Sequence, residues 1–379
     1  MSYGIDAKLC SLENAIERIE DGKTVATSGF CGAGHPEALT AAIEKSFLET
    51  GKPQNLTLVY AAGQGDGQSR GLNHFQQEGM VKRTIGGHWR LAPGLGKLAA
   101  VGKIEAYNFP QGVICQLFRD IAAGRPGCIT HVGLDTFVDP THGGGRLNDI
   151  TPPGLVERIT LGDRDWLWYK SFPIDVALIR GTTADIHGSI TVEKEAVCCE
   201  VLAIAQAVRN SGGIVIAQVQ HLRDTPTPPH QVVVPGMLID HIVVADPEQH
   251  SQTFAEQFNP SYCNAPSPQT LADAQAIPID NIPRRLIAAR SCDEVPDNAI
   301  ANLGIGIPEG IAQIAQQRGD LERFTLKLES GAIGGSPAAG LAFGATSNPQ
   351  AIIEQTAQFD FYDGGGLDFA ALGAAQIDA

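Results

Sequence analysis

The sequence is short of positive charge. Its 27 Lys and Arg residues stand against 42 Asp and Glu, giving a formal net charge of -15 and a pI near 5.0. The Lys and Arg form no cluster, so the phosphate-neutralising surface needed for nucleic acid is missing. An acidic average still allows a local basic pocket for a small anion. The eight cysteines include no CxxC pair, and the neighbours Cys198 and Cys199 fall in a stretch expected to be helical. There is no Cys/His cluster, and the N-terminus lacks a basic-then-apolar export pattern. These absences favour reduced thiols and a cytoplasmic protein without a metal site. No apolar run is long enough to span a bilayer, which argues against a membrane partner.

What is present is glycine, 43 in 379 residues, concentrated at strand-to-helix junctions and not in a low-complexity tract. A chain of this length exceeds one typical domain. Ser11 is placed to cap a helix whose Leu12, Ala15, Ile16 and Ile19 share a face. A strand is expected at Thr24 to Ser28. Nearly all-apolar strands follow at Ile174 to Ile179 and Gly213 to Val219, the pattern of parallel strands buried on both faces. The helix expected between them, from about Glu193 to Arg209, completes a βαβ unit. Cys263 to Pro278 carries three prolines and no apolar period. The predicted fold class is therefore α/β, as two similar open α/β domains with mostly parallel sheets. They cover residues 1–263 and 281–379, joined by a linker over 264–280.

One pattern occurs twice. Gly32-Ala33-Gly34-His35-Pro36-Glu37 leads through a helical stretch to Thr57-Leu58-Val59-Tyr60-Ala61-Ala62-Gly63. Gly304-Ile305-Gly306-Ile307-Pro308-Glu309 leads likewise to Thr325-Leu326-Lys327-Leu328-Glu329-Ser330-Gly331. The second copy ends in a carboxylate where the first has Ala61. Val176 to Asp185 also resembles Phe369 to Asp378 in pattern, and because the chain stops one residue later the second domain is expected to be incomplete, with Leu367 to Gly373 as a buried parallel strand that loses a neighbour. A GxGxP loop between strand and helix lets backbone approach a ligand and exposes helix-start amides. It can bind phosphate, stabilise an oxyanion, or be no more than a tight turn. It lacks the Lys-Ser/Thr of a Walker loop and the third glycine of a dinucleotide fingerprint. Glu329 at a strand's C-terminal end lies where open α/β sheets place ligands. It is either a nucleophile or a solvated strand-end carboxylate.

Leu326 to Gly335 resembles the glutamate motif of family I CoA-transferases, and Asn302 to Pro308 resembles the glycine loop that precedes it. Ser28 to Pro36 is similar to the glycine-rich signature of their first domain. Ala106 to Gly112, Gly124 to Gly127 and Phe359 to Gly366 match further stretches. The resemblance covers nearly the whole chain, and single-chain acetate and propionate CoA-transferases look nearest. Relatives of that kind continue past this chain's end, so either the chain is shortened or a separate chain supplies the remainder.

The resemblance implies a ping-pong transfer of CoA between a short-chain acyl-CoA and a free carboxylate, through a glutamyl-CoA thioester on Glu329. CoA is then a substrate, and no tightly bound cofactor is required. By motif position Gly304, Ile305 and Gly306 contact CoA or an oxyanion, and Gly365 and Gly373 line the CoA site or serve as turn and strand glycines. Gly34 belongs to the carboxylate pocket. Gln111 donates to the acyl or carboxylate group or is a turn residue after Pro110. His35, His88 and His131 are expected to be structural. A homo-oligomer is expected, a dimer or tetramer. The competing readings are an acyl-CoA hydrolase and an inactive CoA-binding or subunit protein, with a sugar-phosphate isomerase ranked last.

Overall fold

The computed structural model describes residues 4–267 and 279–374. Most of the predicted linker and the terminal Ala375, Gln376, Ile377 and Asp378 lie outside the described residues. By contacts the chain divides into two compact units, Met1–Glu193 with Glu200–Ser251, and Lys194–Cys199 with Gln252–Ala379. A short mid-chain segment thus groups with the second unit.

In the first unit, α1 (Leu12–Ile16) is capped by the Ser11 hydroxyl, which accepts from the Asn14 amide at 3.2 Å. In chain order there follow β1 (Thr24–Thr27), α2 (Glu37–Thr50), β2 (Leu56–Tyr60), β3 (Val81–Gly86), α3 (Pro93–Ala100), β4 (Glu105–Asn108) and α4 (Gln111–Ala122). Next come β5 (Gly127–Thr130), β6 (Val156–Leu161), β7 (Arg164–Lys170), β8 (Val176–Arg180), β9 (Thr183–Ala184) and β10 (Ile190–Thr191). The unit ends with α5 (Val201–Asn210), β11 (Ile214–Val219), β12 (His221–Leu222) and β13 (His241–Val244). Seven strands form one parallel sheet in the order β13-β11-β8-β1-β2-β3-β4. β2 and β8 are buried at every position, as strands covered on both faces must be. Val25, Leu58, Tyr60, Val176, Leu178 and Ile216 meet in the main core cluster on one side of this sheet.

Two features depart from the sequence reading. The helix expected from Glu193 begins only at Val201, because Cys199 sits at φ 55°, a left-handed conformation that interrupts a right-handed helix. Cys198 and Cys199 therefore lie outside it. The antiparallel sheet β5-β7-β6 was not anticipated, although Gly162 at φ 62° between two alternating runs marks its hairpin.

The second unit contains α6 (Ile282–Glu294), β14 (Ile300–Leu303), α7 (Glu309–Arg318) and β15 (Thr325–Leu326). Short paired strands β16 (Ala332–Ile333), β17 (Ser336–Pro337), β18 (Thr346–Ser347) and β19 (Ala351–Ile352) follow, then α8 (Gln355–Asp363) and β20 (Phe369–Ala371). Its parallel sheet has the order β15-β14-β20. This repeats the centre of the first sheet. Val25 of β1 pairs with Leu58 of β2 and Val176 of β8, and Ala301 of β14 pairs with Leu326 of β15 and Phe369 of β20. Three residues beyond Leu58 and Leu326 stand Ala61 and Glu329. β20 was expected to be a buried strand, but its Ala370 is exposed and Leu372 just after it is 74% exposed. Among the described residues β20 pairs on one side only. No described helix is long and apolar enough to cross a membrane.

Ala61 is fully buried, and a side chain on Gly87 would come within 2.2 Å of the Ala61 carbonyl. A carboxylate at this position in the first copy would be withdrawn from water. Ala61→Glu is expected to lower the unfolding free energy by about 3–5 kcal/mol, the usual cost of an uncompensated buried charge, as measured by urea denaturation at pH 7.

Candidate active site

Side chains alternate along a strand, and residues in register across parallel strands share a face. Ala301, Leu303 and Leu326 turn into the second unit's core cluster. Asn302 and Lys327 consequently face the other side. Glu329, two residues past Lys327, returns to that side, where Asn302 Nδ2 donates to its Oε1 at 3.4 Å. Burial pushes the Glu329 carboxyl above the ordinary carboxylate range, and the Asn302 hydrogen bond opposes that shift. Glu329 as a whole residue is half-buried.

The residues after Glu329 explain how the strand ends there. Ser330 is fully buried, and its hydroxyl donates to the Gly344 carbonyl at 2.6 Å. Gly331 turns the chain at φ 107°, and a Cβ there would meet the Ile353 carbonyl at 2.0 Å. Only glycine fits at that position. α8 supports the same strand end. Tyr362 Oη donates to the Lys327 carbonyl at 3.0 Å, and Gln358 Nε2 donates to the Leu328 carbonyl and to Tyr362 Oη, both at 2.9 Å. The Lys327 ammonium lies 3.6 Å from the centre of the Phe361 ring, and burial lowers its proton affinity.

The glycine loop at the start of α7 is less open than its sequence suggests. The Gly304 amide donates to the Ala371 carbonyl at 2.9 Å, and the Gly306 amide, at φ 95°, donates to Glu309 Oε1 at 2.8 Å. Ile305 between them is 40% exposed and its amide makes no hydrogen bond among the described residues. Among the described residues the loop amides without a hydrogen bond are therefore those of Ile305 and Ile307, of which Ile305 is the more exposed. Gly365, at φ 84°, terminates α8 by donating to the Tyr362 carbonyl at 3.0 Å. Gly373 is exposed just beyond β20, with open space around it.

Gly34 and Gln111 belong to the first unit. The first glycine loop is packed inward, with Gly34 buried at φ 69° and its carbonyl accepting from the Ser28 hydroxyl at 3.2 Å. Gln111 opens α4, and its Nε2 is buried without a hydrogen-bond partner. A buried donor left unpaired costs roughly 1–3 kcal/mol, so this atom is suited to a ligand or an ordered water.

Of the three histidines singled out by sequence, His35 is fully buried between Gln64 Oε1 at 2.6 Å and Thr40 Oγ1 at 2.8 Å. Burial pulls its pKa down to about 4, so the ring is neutral near pH 7. His88 is also shifted down, by burial and then by Arg90, and packs against Gly63. His131 stacks edge-on to Trp166. Sequence reading passed over His74, whose two ring nitrogens face Glu37 at 2.9 Å and Glu44 at 2.6 Å. Burial would lower its pKa, but the two carboxylates outweigh burial and raise it. It also missed Asn302 and Tyr362, which lie within stretches whose motifs it recognised, and Gln358, one residue before such a stretch. A cavity of about 500 Å³ elsewhere in the second unit, lined by Gln316, Phe324, Ser336 and Gln350 among others, does not include Glu329. Among the described residues no group of three or more His, Cys, Asp or Glu side chains could hold a metal ion.

Fold and site together define an α/β protein with a partly buried carboxylate at a parallel-strand end beside a glycine loop. The Coenzyme A transferase family profile matches residues 10–245. The caffeate CoA-transferase of Acetobacterium woodii is 43% identical over 376 residues, 98% of this chain and 71% of the relative. The acetate CoA-transferase YdiF of Escherichia coli K12 is 40% identical over 377 residues, 97% of this chain and 69% of the relative. The crystal structure of the acyl-CoA transferase YdiF apoenzyme from E. coli O157:H7 superposes with a TM-score of 0.87 at 37% identity, over 96% of this chain and 68% of that one. A thioester complex of the same enzyme with CoA matches equally, TM-score 0.87 over 97% of this chain and 69% of that one. The chain belongs to the coenzyme A transferase family and is an enzyme of the CoA-transferase type.

The buried histidines set a pH dependence for stability. For His35 the folded pKa, about 4, lies below the unfolded value near 6.5, so its contribution is intact above pH 6.5 and is lost as pH falls through 4. At about 1.4 kcal/mol per pKa unit the full loss is roughly 3 kcal/mol. His74, shifted upward, acts oppositely, and its contribution disappears as pH rises through its folded pKa. Urea denaturation between pH 4 and 7 is expected to give a shallower acid decline for His35→Gln than for the parent.

Proposed function

We propose that this enzyme transfers CoA between a short-chain acyl-CoA and a free carboxylate by a ping-pong mechanism with Glu329 as nucleophile. The observation that carries the reading is Glu329 itself: a half-buried glutamate at a strand end, with Asn302 Nδ2 on one carboxylate oxygen. One carboxylate oxygen attacks the acyl-CoA carbonyl, the C–S bond breaks, and a mixed anhydride and CoA thiolate result. The thiolate attacks the glutamyl carbonyl and expels the first acid as its carboxylate, leaving the glutamyl-CoA thioester. An acceptor carboxylate reverses both steps and departs as the new acyl-CoA. Each addition passes through a tetrahedral oxyanion, for which the Ile305 amide is the proposed donor, Gly304 and Gly306 shaping the loop around it. One such donor is worth about 3 kcal/mol of barrier. The YdiF structure described as a thioester complex with CoA supports the intermediate.

Gln111, with its unpaired buried amide nitrogen, is the proposed donor to an acyl or carboxylate oxygen, and Gly34 the proposed backbone element of carboxylate recognition. Gly365 and Gly373 retain the proposed CoA-lining role through their exposed backbone. Acetate and similar small acids are the proposed partners, in a cytoplasmic homo-oligomer without a tightly bound cofactor.

Incubation with acetyl-CoA is expected to raise the intact mass by CoA minus water in the parent and not in Glu329→Ala. An unchanged parent mass would overturn the mechanism. Because the carboxylate must be ionised to attack and its pKa is raised, the acid limb of kcat/KM is expected above the usual glutamate range. Asn302→Ala removes the interaction that lowers this pKa. The limb should move to still higher pH in that variant, as read from a pH–rate profile.

A further inference from the structure

The stretch Phe359 to Gly366 stands out in sequence, yet the reaction as derived leaves it without a task. Two polar side chains on the inner side of α8, Tyr362 within this stretch and Gln358 just before it, do the same thing in the structure. Tyr362 Oη reaches the carbonyl of Lys327, and Gln358 Nε2 reaches the carbonyl of Leu328, the two peptide oxygens immediately before Glu329. Gln358 is fully buried.

The donor directions are not interchangeable. Both backbone carbonyls only accept, so Gln358 must present its NH2, one hydrogen to Leu328 and the other to Tyr362 Oη at 2.9 Å. Tyr362, having accepted from Gln358, donates its own hydrogen to Lys327. The arrangement uses every donor and leaves Gln358 Oε1 buried and without a partner. That orphaned acceptor is a cost the site carries to keep the amide facing the strand. The hydroxyl also stays a neutral donor, because burial shifts the Tyr362 pKa far upward and the Glu329 charge adds to the shift.

The glycines after α8 serve the same geometry. Gly366 lies against the Phe361 ring, where a Cβ would come within 2.4 Å, and its amide donates to the Phe361 carbonyl at 2.9 Å. This close turn fixes the last turn of α8, from which Tyr362 projects. β15 contributes only Thr325 and Leu326 to the parallel ladder; beyond Lys327 the chain bearing Glu329 turns back on itself, the Leu328 amide donating to the Ala332 carbonyl and the Gly331 amide to the Leu328 carbonyl, both at 2.9 Å, and the two side chains of α8 add to these bonds.

We propose that Gln358 and Tyr362 are positioning residues that clamp the two peptides preceding Glu329 and so hold its carboxylate in the attacking geometry. The inference rests on Glu329 being the nucleophile. Misplacing a reacting atom by about 1 Å can cost on the order of 100-fold in rate.

The test is the rate of glutamyl-CoA formation after rapid mixing with saturating acetyl-CoA, followed by intact mass, together with steady-state kcat and KM. Four proteins are compared: the parent, Tyr362→Phe, Gln358→Met, and Ala357→Gly, which loosens α8 at an exposed position without touching either hydrogen bond. The expected result is a loss of about 10- to 100-fold in rate and kcat for Tyr362→Phe and Gln358→Met. KM should stay within about threefold, and Ala357→Gly should react at the parent rate. Parental rates in both clamp variants, or an equal loss in Ala357→Gly, would overturn the clamp while leaving the nucleophile in place. Absence of the thioester in the parent would instead remove Glu329 as nucleophile and the clamp with it. If Gln358→Met melts below the assay temperature, Tyr362→Phe decides alone, since it deletes one oxygen and keeps the ring.

Discussion

A carboxylate taken partly out of water at the end of a strand must be held by something other than solvent, and most of the second unit's local structure follows from that requirement. Burial alone drives Glu329 toward its neutral acid, and the Asn302 amide is the counterweight. A raised pKa is compatible with nucleophilic work, since a carboxylate that has lost part of its hydration has less solvent to shed on attack. Ser330 pinned to Gly344, Gly331 turned against Ile353 and α8 bonded to the two preceding carbonyls all keep this one side chain from relaxing toward water.

The two copies of the strand-helix-strand pattern resolve the same constraint differently. In the first unit the glycine loop is buried, its strand end carries Ala61, and the nearest ionisable groups are tied up internally. Glu37 accepts from the Gly71 amide and from His74, and His35 is kept neutral between Gln64 and Thr40. In the second unit the loop is open at Ile305 and Ile307, and the corresponding carboxylate, Glu309, folds back on the Gly306 amide. One copy is packed inward and the other leaves its loop exposed beside a strand-end carboxylate, although both retain the same central pairing of parallel strands.

Much of this was legible from residues alone. The repetition of GxGxPE, the all-apolar strands and the strand-end glutamate follow from spacing and hydrophobic period, and those properties are local. The helix start at Val201 was missed because Cys199 adopts a left-handed conformation that no apolar pattern reveals. β20 was read as buried because its composition is apolar, but burial depends on what lies beside a strand. The engagement of the Gly304 and Gly306 amides was equally hidden, since their acceptors are a carbonyl on β20 and a side chain folded back from α7.

The sequence by itself determined the α/β class, the duplicated pattern and the presence of a carboxylate at the end of its second copy, because each is written in local spacing and hydrophobic period. Only the tertiary structure decided which groups act on that carboxylate. Asn302 comes from the adjacent strand, and Gln358 and Tyr362 from a helix some 30 residues further along. Parallel strand pairing and helix packing join positions at separations that no local spacing encodes. The state of Glu329 is therefore a property of the folded neighbourhood and not of its motif.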